Sequence, residues 1–219
     1  MRILRDTTRL LVCLTLEFKM LEVHNLFPRP VVSIQMDPLS FEEIEYIESL
    51  DTNLRKNVGN YTTNDHYILS NDQLSSFKDK IQVFVQEYFD NIICASTETI
   101  PYITQSWANF TYDGGYHYPH KHSNSIISGV FYVKCSDNDK ISFTDYRQDT
   151  IELPPTSFNI YNSDSWWLPA IKNQLLLFPS SLRHSVPSIT TDDSRISISF
   201  NVFVKGKLGD EKTLNALTL

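Results

Sequence analysis

The chain has 219 residues, 41% of them hydrophobic and 21% charged, the proportions of one soluble globular domain with a sizeable core. Nineteen basic against 26 acidic residues give a formal charge of −7, which argues against a surface built on clustered phosphate contacts. Cys13, Cys94 and Cys135 are widely spaced and form no CxxC pair, so neither a disulfide framework nor a zinc knuckle is indicated, and a reducing compartment is expected.

In chain order, Arg2, Arg5 and Arg9 precede a short apolar run over 10–16. This has the outline of a signal peptide, but no small-residue cleavage site follows and the run is too short to span a bilayer. Residues 1–19 are read as a non-essential leader upstream of Met20, and 20–219 as a single domain. Ser40 with Glu43 forms a capping box, and Phe41, Ile44, Ile47, Leu50 and Leu54 follow at helical spacing, which predicts a helix over 41–56. A second helix is predicted from Ser70, with Gln73 at its capping-box position, to about Ala95. Its stripe is Leu74, Phe77, Ile81, Phe84, Tyr88 and Ile92. Beyond Pro101 short β-rich runs take over at 103–112, 126–134, 140–144, 157–161, 174–178 and 195–204, separated by turn-forming clusters. The pattern predicts an α+β domain in which the helices cover one sheet of a cupin-like jelly roll.

Three of the six histidines, His117, His120 and His122, fall between two predicted strands. In extended chain, residues two apart share a side, so His120 and His122 can face one ion, whereas His117 has the wrong parity. His184 lies 62 residues after His122, behind the apolar run Gln174–Phe178, and a double-sheet fold can return it to the pair. The last strand alternates strictly: Ile196, Ile198, Phe200, Val202 and Val204 on one face, Arg195, Ser197, Ser199 and Asn201 on the other. If the polar face meets solvent, Arg195 is an ordinary surface cation; if it faces inward, a buried guanidinium needs an anion, and its fork of donors suits a carboxylate.

Three stretches, Pro119–Tyr132, Leu177–Val186 and Arg195–Asn201, resemble in order the successive motifs of a family of 2-oxoglutarate/Fe(II) oxygenases related to prolyl hydroxylases and found in marine bacteria and cyanobacterial phages. The resemblance covers about residues 100–205, which would be the catalytic core. It implies a double-stranded β-helix with Fe(II) at its mouth, bound by His120, His122 and His184. It further implies that Arg195, eleven residues after His184, grips the far carboxylate of 2-oxoglutarate, with Ser197 completing an Arg-x-Ser arrangement and Tyr132 donating a second hydrogen bond. The chain departs from the family at His122, where most members carry a carboxylate; Asp145, or as a further option Asp113, would then supply it.

The implied activity uses Fe(II), 2-oxoglutarate and O2, yields succinate and CO2, and hydroxylates a small-molecule or peptidyl substrate such as proline. Trp107, Asn109 and Tyr116 are candidates to line its groove, and Trp166 and Trp167 to serve as core or lid. No nucleic-acid or membrane partner is expected. A homodimer and a cytoplasmic location, the host's if the gene is a phage's, are compatible with the sequence. Two other readings stay open: a three-His cupin-like dioxygenase that needs no 2-oxoglutarate, and a non-catalytic jelly-roll binding protein.

Overall fold

The computed structural model describes residues 22–145, 151, 153–190 and 193–219; the leader expected over 1–19 lies outside them. Strand β1 (Val32–Gln35) comes first. The Ser40 hydroxyl accepts from Glu43 N at 3.2 Å, and the Glu43 carboxylate accepts from Ser40 N at 2.8 Å. This reciprocal cap starts α1 (Phe41–Ser49) where the sequence places it. The helix stops well short of residue 56. Leu50–Asn53 tighten into a 3-10 turn, and Leu54–Lys56 (β2) instead pairs with Tyr61–Thr63 (β3). Between them Gly59 takes φ +82°, and a Cβ there would lie 2.5 Å from Tyr116 O, so this turn requires glycine.

Helix α2 (Ser75–Tyr88) begins later than expected, after two 3-10 turns at Ile68–Ser70 and Asp72–Leu74, and no side-chain cap forms at Ser70. Phe77, Ile81, Val85 and Tyr88 are its buried face. The helix then widens into a π-turn over Phe89–Ile93 and ends at Cys94 in the left-handed conformation. That change of pitch rotates Ile92 off the expected stripe and leaves it 45% exposed.

The remaining strands are β4 (Thr99–Thr111), β5 (His117–His120), β6 (Ile127–Lys134), β7 (Lys140–Thr144), β8 (Ser165–Pro169), β9 (Gln174–Pro179), β10 (Arg183–Val186), β11 (Arg195–Leu208) and β12 (Leu217–Thr218). Among the described residues they form two antiparallel sheets. The larger runs β1-β9-β6-β11-β4-β3-β2, with β12 added on β11, and the smaller runs β5-β10-β7-β8. The strand expected at 157–161 is absent. There the Asn159 side chain accepts from Tyr161 N at 2.8 Å and Asn162 accepts from Asn159 N at 2.7 Å, local bonds that close a turn and compete with a ladder. Ser165–Pro169 takes the place beside β7 instead.

Strand alternation sorts the apolar residues into two cores. Phe131, Leu175, Leu177, Ile198 and Phe200 face the helices and pack with Phe77, Ile81 and Phe89; Val130, Tyr132, Leu176 and Phe178 point the other way and pack with Ile141 and Phe143 of the smaller sheet. The larger sheet is thus covered on both faces, as a jelly roll with helices on one side requires. Gly129 permits the close approach, since a Cβ there would lie 2.1 Å from the Phe200 ring.

Candidate active site

Strands β5 and β10 pair antiparallel with His120 directly opposite His184. Just past β5, His122 N donates to Ser180 O at 3.0 Å, and this bends the third imidazole toward the other two. The ligating atoms of His120, His122 and His184 all lie within 4.8 Å of one another, and His120 Nε2 and His122 Nε2 are 3.1 Å apart. Each ring has an oxygen at Nδ1: Tyr118 O at 2.8 Å for His120, Leu182 O at 3.0 Å for His184, and Asn201 Oδ1 at 2.5 Å for His122. A ring that donates from Nδ1 keeps a bare lone pair on Nε2, the form in which histidine binds metal.

Burial holds the rings neutral. Desolvation drives His184 down to about 3 and lowers His120 and His122 below the ordinary range. Two neutral nitrogens with facing lone pairs at 3.1 Å repel unless a cation sits between them. Ligand nitrogens at right angles around an ion with bonds of ~2.1 Å would be separated by roughly this distance. The donor set therefore fits a divalent ion.

The cleft beyond the imidazoles occupies about 540 Å3, part of it open to solvent, and reaches Arg195, Ser197, Asn109 and Thr111. Arg195 is 3% exposed. Its guanidinium reaches Lys140 O at 3.4 Å and lies 5.1 Å from the Tyr132 ring centroid, and among the described residues no carboxylate forms an ion pair with it. Tyr132 pairs in register with Ser197. Its hydroxyl is fully buried and makes no hydrogen bond of good geometry; burial pushes the phenol up to about 12, against the opposing pull of Arg195 nearby. A buried cation and an orphaned hydroxyl side by side are the complement of an anion with several acceptor lone pairs.

The structure thus brings together His120, His122, His184, Arg195, Ser197 and Tyr132. Asp145 does not join them: it pairs with Arg29 at 3.2 Å and is about half exposed. Neither it nor Asp113 enters a metal-binding group among the described residues. Trp107 and Asn109 line the cleft, whereas Tyr116 does not. Trp166 and Trp167 are exposed on β8 and belong to neither core. His117, set aside on parity, does line the cleft, with its ring 4.2 Å from that of His120. A register shift between the β10 partners of His120 and His117 breaks the alternation that excluded it.

A family model described as "Putative 2OG-Fe(II) oxygenase" matches residues 105–201, which contain all six of these residues. Over that stretch the chain is similar to the 2OG-Fe(II) oxygenases. The fold is also similar to those of three solved structures. A Pseudomonas putida prolyl-4-hydroxylase is 9% identical, with a TM-score of 0.52, over 79% of this chain and 92% of that one. HygX from Streptomyces hygroscopicus, solved with nickel, 2-oxoglutarate and hygromycin B, is 8% identical, with a TM-score of 0.52, over 80% and 82%. The non-heme alpha ketoglutarate dependent epimerase SnoN from nogalamycin biosynthesis is 13% identical, with a TM-score of 0.55, over 80% and 78%. No curated protein matches the chain, and among its described residues no helix is long and apolar enough to cross a membrane.

Proposed function

We propose that this protein is a 2-oxoglutarate/Fe(II) oxygenase, a hydroxylase in which His120, His122 and His184 hold Fe(II) through Nε2, while Arg195 and the Tyr132 hydroxyl receive the far carboxylate of 2-oxoglutarate. The observation that carries the reading is one cleft with three converging neutral imidazoles at one end and, at the other, a buried guanidinium without an acidic partner among the described residues. Bound Fe(II) supplies oxygen activation coupled to the decarboxylation of 2-oxoglutarate, chemistry that the protein only positions. Arg195 fixes the orientation of the co-substrate, Ser197 offers a hydroxyl on the same strand face, and Phe178 with Ile141 keeps that end of the cleft apolar and short of water.

The substrate enters from a second, more open cleft of about 620 Å3 that shares Trp107, His117, His120 and His122 with the first. Arg55, Asn57, Thr62, His66 and Gln105 complete its lining. These side chains offer hydrogen bonds and no carboxylate, which suits a peptide backbone or a polar small molecule. The names of the structural neighbours span both classes, a prolyl hydroxylase and an enzyme bound to hygromycin B. A reducing cytoplasm fits two cysteines, Cys94 and Cys135, that are free thiols. The test is succinate release from 2-oxoglutarate under air by the Fe(II)-loaded protein. A three-His dioxygenase that needs no 2-oxoglutarate is favoured by one feature, the imidazole of His122 at the carboxylate position, and would oxidise its substrate without releasing succinate.

A further inference from the structure

His122 differs from the other two imidazoles in what holds its Nδ1. Those of His120 and His184 face backbone carbonyls, which can only accept, so their tautomers follow from the chain itself. That of His122 faces two side chains, Asn201 Oδ1 at 2.5 Å and Ser128 Oγ at 3.1 Å, and a hydroxyl can donate as well as accept. The tautomer of His122 therefore depends on which way the Ser128 hydroxyl points.

Behind Ser128 runs a row of hydroxyls. Ser128 Oγ is 2.9 Å from Ser180 Oγ, Ser180 Oγ is 2.7 Å from Ser125 Oγ, and Ser125 Oγ reaches Ile127 O at 2.8 Å and Val202 O at 3.3 Å. Each hydroxyl has one proton to give. Carbonyls cannot donate, so Ser125 spends its proton on them. Ser180 must then donate to Ser125, and Ser128 must donate to Ser180. No proton remains on Ser128 to give to His122, so the contact requires His122 Nδ1–H to donate and Ser128 Oγ to accept. The same proton rules out the alternative rotamer of the Asn201 amide, which would put an NH2 against it.

We infer that Asn201 and the Ser125–Ser180–Ser128 relay are positioning residues that fix His122 in the Nδ1–H tautomer, leaving its Nε2 lone pair aimed at His120 and His184. Ser128 and Ser180 are 1% and 0% exposed, so water cannot reverse the chain cheaply. The consequence for metal binding rests on the ligand assignment proposed above; the tautomer itself does not. With a carboxylate at position 122, as in most of the family, no tautomer would need to be chosen. The relay supplies that choice for an imidazole in its place.

The tautomers can be read in the metal-free protein from two-bond 15N–1H correlation spectra of the imidazoles at pH about 8, above the ordinary histidine pKa. Wild type should show His122 as the Nδ1–H form. Ser128→Ala combined with Asn201→Leu removes both acceptors and should move His122 toward the Nε2–H form. His120 and His184 should keep their tautomers, which reports in the same spectrum that the fold is intact. Asn201→Asp, which retains an acceptor oxygen, should preserve the wild-type form. Affinity for Co(II), measured by competition titration, should fall roughly ten- to a hundredfold in the double variant, the usual effect of removing a hydrogen-bond partner of a metal ligand, and stay near wild type in Asn201→Asp. A wild-type His122 in the Nε2–H form, or no tautomer change in the double variant, would overturn the relay. An unchanged Co(II) affinity despite the tautomer change would overturn its role in positioning the ligand. If wild type binds no Co(II) but shows the expected tautomers, the relay stands and the three-His metal assignment fails.

Discussion

Arg195→Met separates the demands of co-substrate binding from those of stability. The guanidinium is 3% exposed and holds one long contact to Lys140 O, so solvent screening takes little from whatever anion it meets. Removing one partner of a buried, hydrogen-bonded charge pair typically costs about 2–5 kcal/mol, and each 1.4 kcal/mol is about a factor of ten. The 2-oxoglutarate dissociation constant should therefore rise by roughly thirty- to several-thousandfold. Methionine keeps much of the side-chain volume and removes a desolvated cation that lacks an acidic partner among the described residues, so the variant without 2-oxoglutarate should be no less stable than wild type. Titration of the anaerobic Fe(II) protein with 2-oxoglutarate, followed by its charge-transfer absorption, gives the affinity, and urea unfolding of the ligand-free protein gives the stability. Tyr132→Phe should move the affinity the same way by less, on the order of 1 kcal/mol for one hydrogen bond. Equal 2-oxoglutarate affinity in Arg195→Met and wild type would refute the pocket assignment. A large loss of stability would show that the guanidinium is already satisfied in the empty cleft.

His184→Ala should abolish stoichiometric Fe(II) binding, measured by metal analysis after anaerobic desalting, and His122→Ala should do the same. Asp145→Ala should keep full metal content because that carboxylate is engaged with Arg29. Metal-free stability should fall on acidification. His117 and His184, held down to about 3 by burial, bind fewer protons folded than unfolded at any pH between there and their ordinary 6.5. The stability they contribute is thus present above about 6.5 and is lost progressively as pH falls from 6.5 toward 3; a flat urea midpoint across that window would contradict the buried, neutral placement of the rings. Gly129→Ala would put a Cβ at 2.1 Å from the Phe200 ring and should destabilise by at least the ~1–3 kcal/mol typical of overpacking, visible as a lower urea midpoint with an unchanged slope.

Much of this architecture was legible where a local signal and the tertiary demand agree. The Ser40/Glu43 box started α1, and the strict alternation of β11 put Ile198 and Phe200 in the helix-facing core and Arg195 and Ser197 in the cleft. Legibility failed where long-range pairing decides. Leu54 continues a helical period, yet the β2–β3 ladder claims it. The four-residue β5 and β10 are too short to show a period, and the register shift between them brings His117 to the cleft wall against its apparent parity. Asp145 stood as an alternative to His122 because nothing in the local sequence shows that Arg29, 116 positions earlier, lies beside it. Asn201 was visible only as one polar residue on a polar face. Its role emerges with the positions of His122 and Ser128, which folding alone brings beside it.

The two ends of the cleft belong to different sheets. His120 and His184 ride on the four-stranded sheet, whereas Arg195, Ser197 and Tyr132 ride on the eight-stranded one. The span between them is set by the side chains wedged between the sheets, chiefly Phe178, Phe143, Leu176 and Ile141. That packing works as a caliper. A keto diacid one carbon shorter or longer than 2-oxoglutarate would have to be accepted or refused by the thickness of this apolar layer, and a substitution such as Phe178→Leu, which touches neither carboxylate, would reset the length of co-substrate that fits.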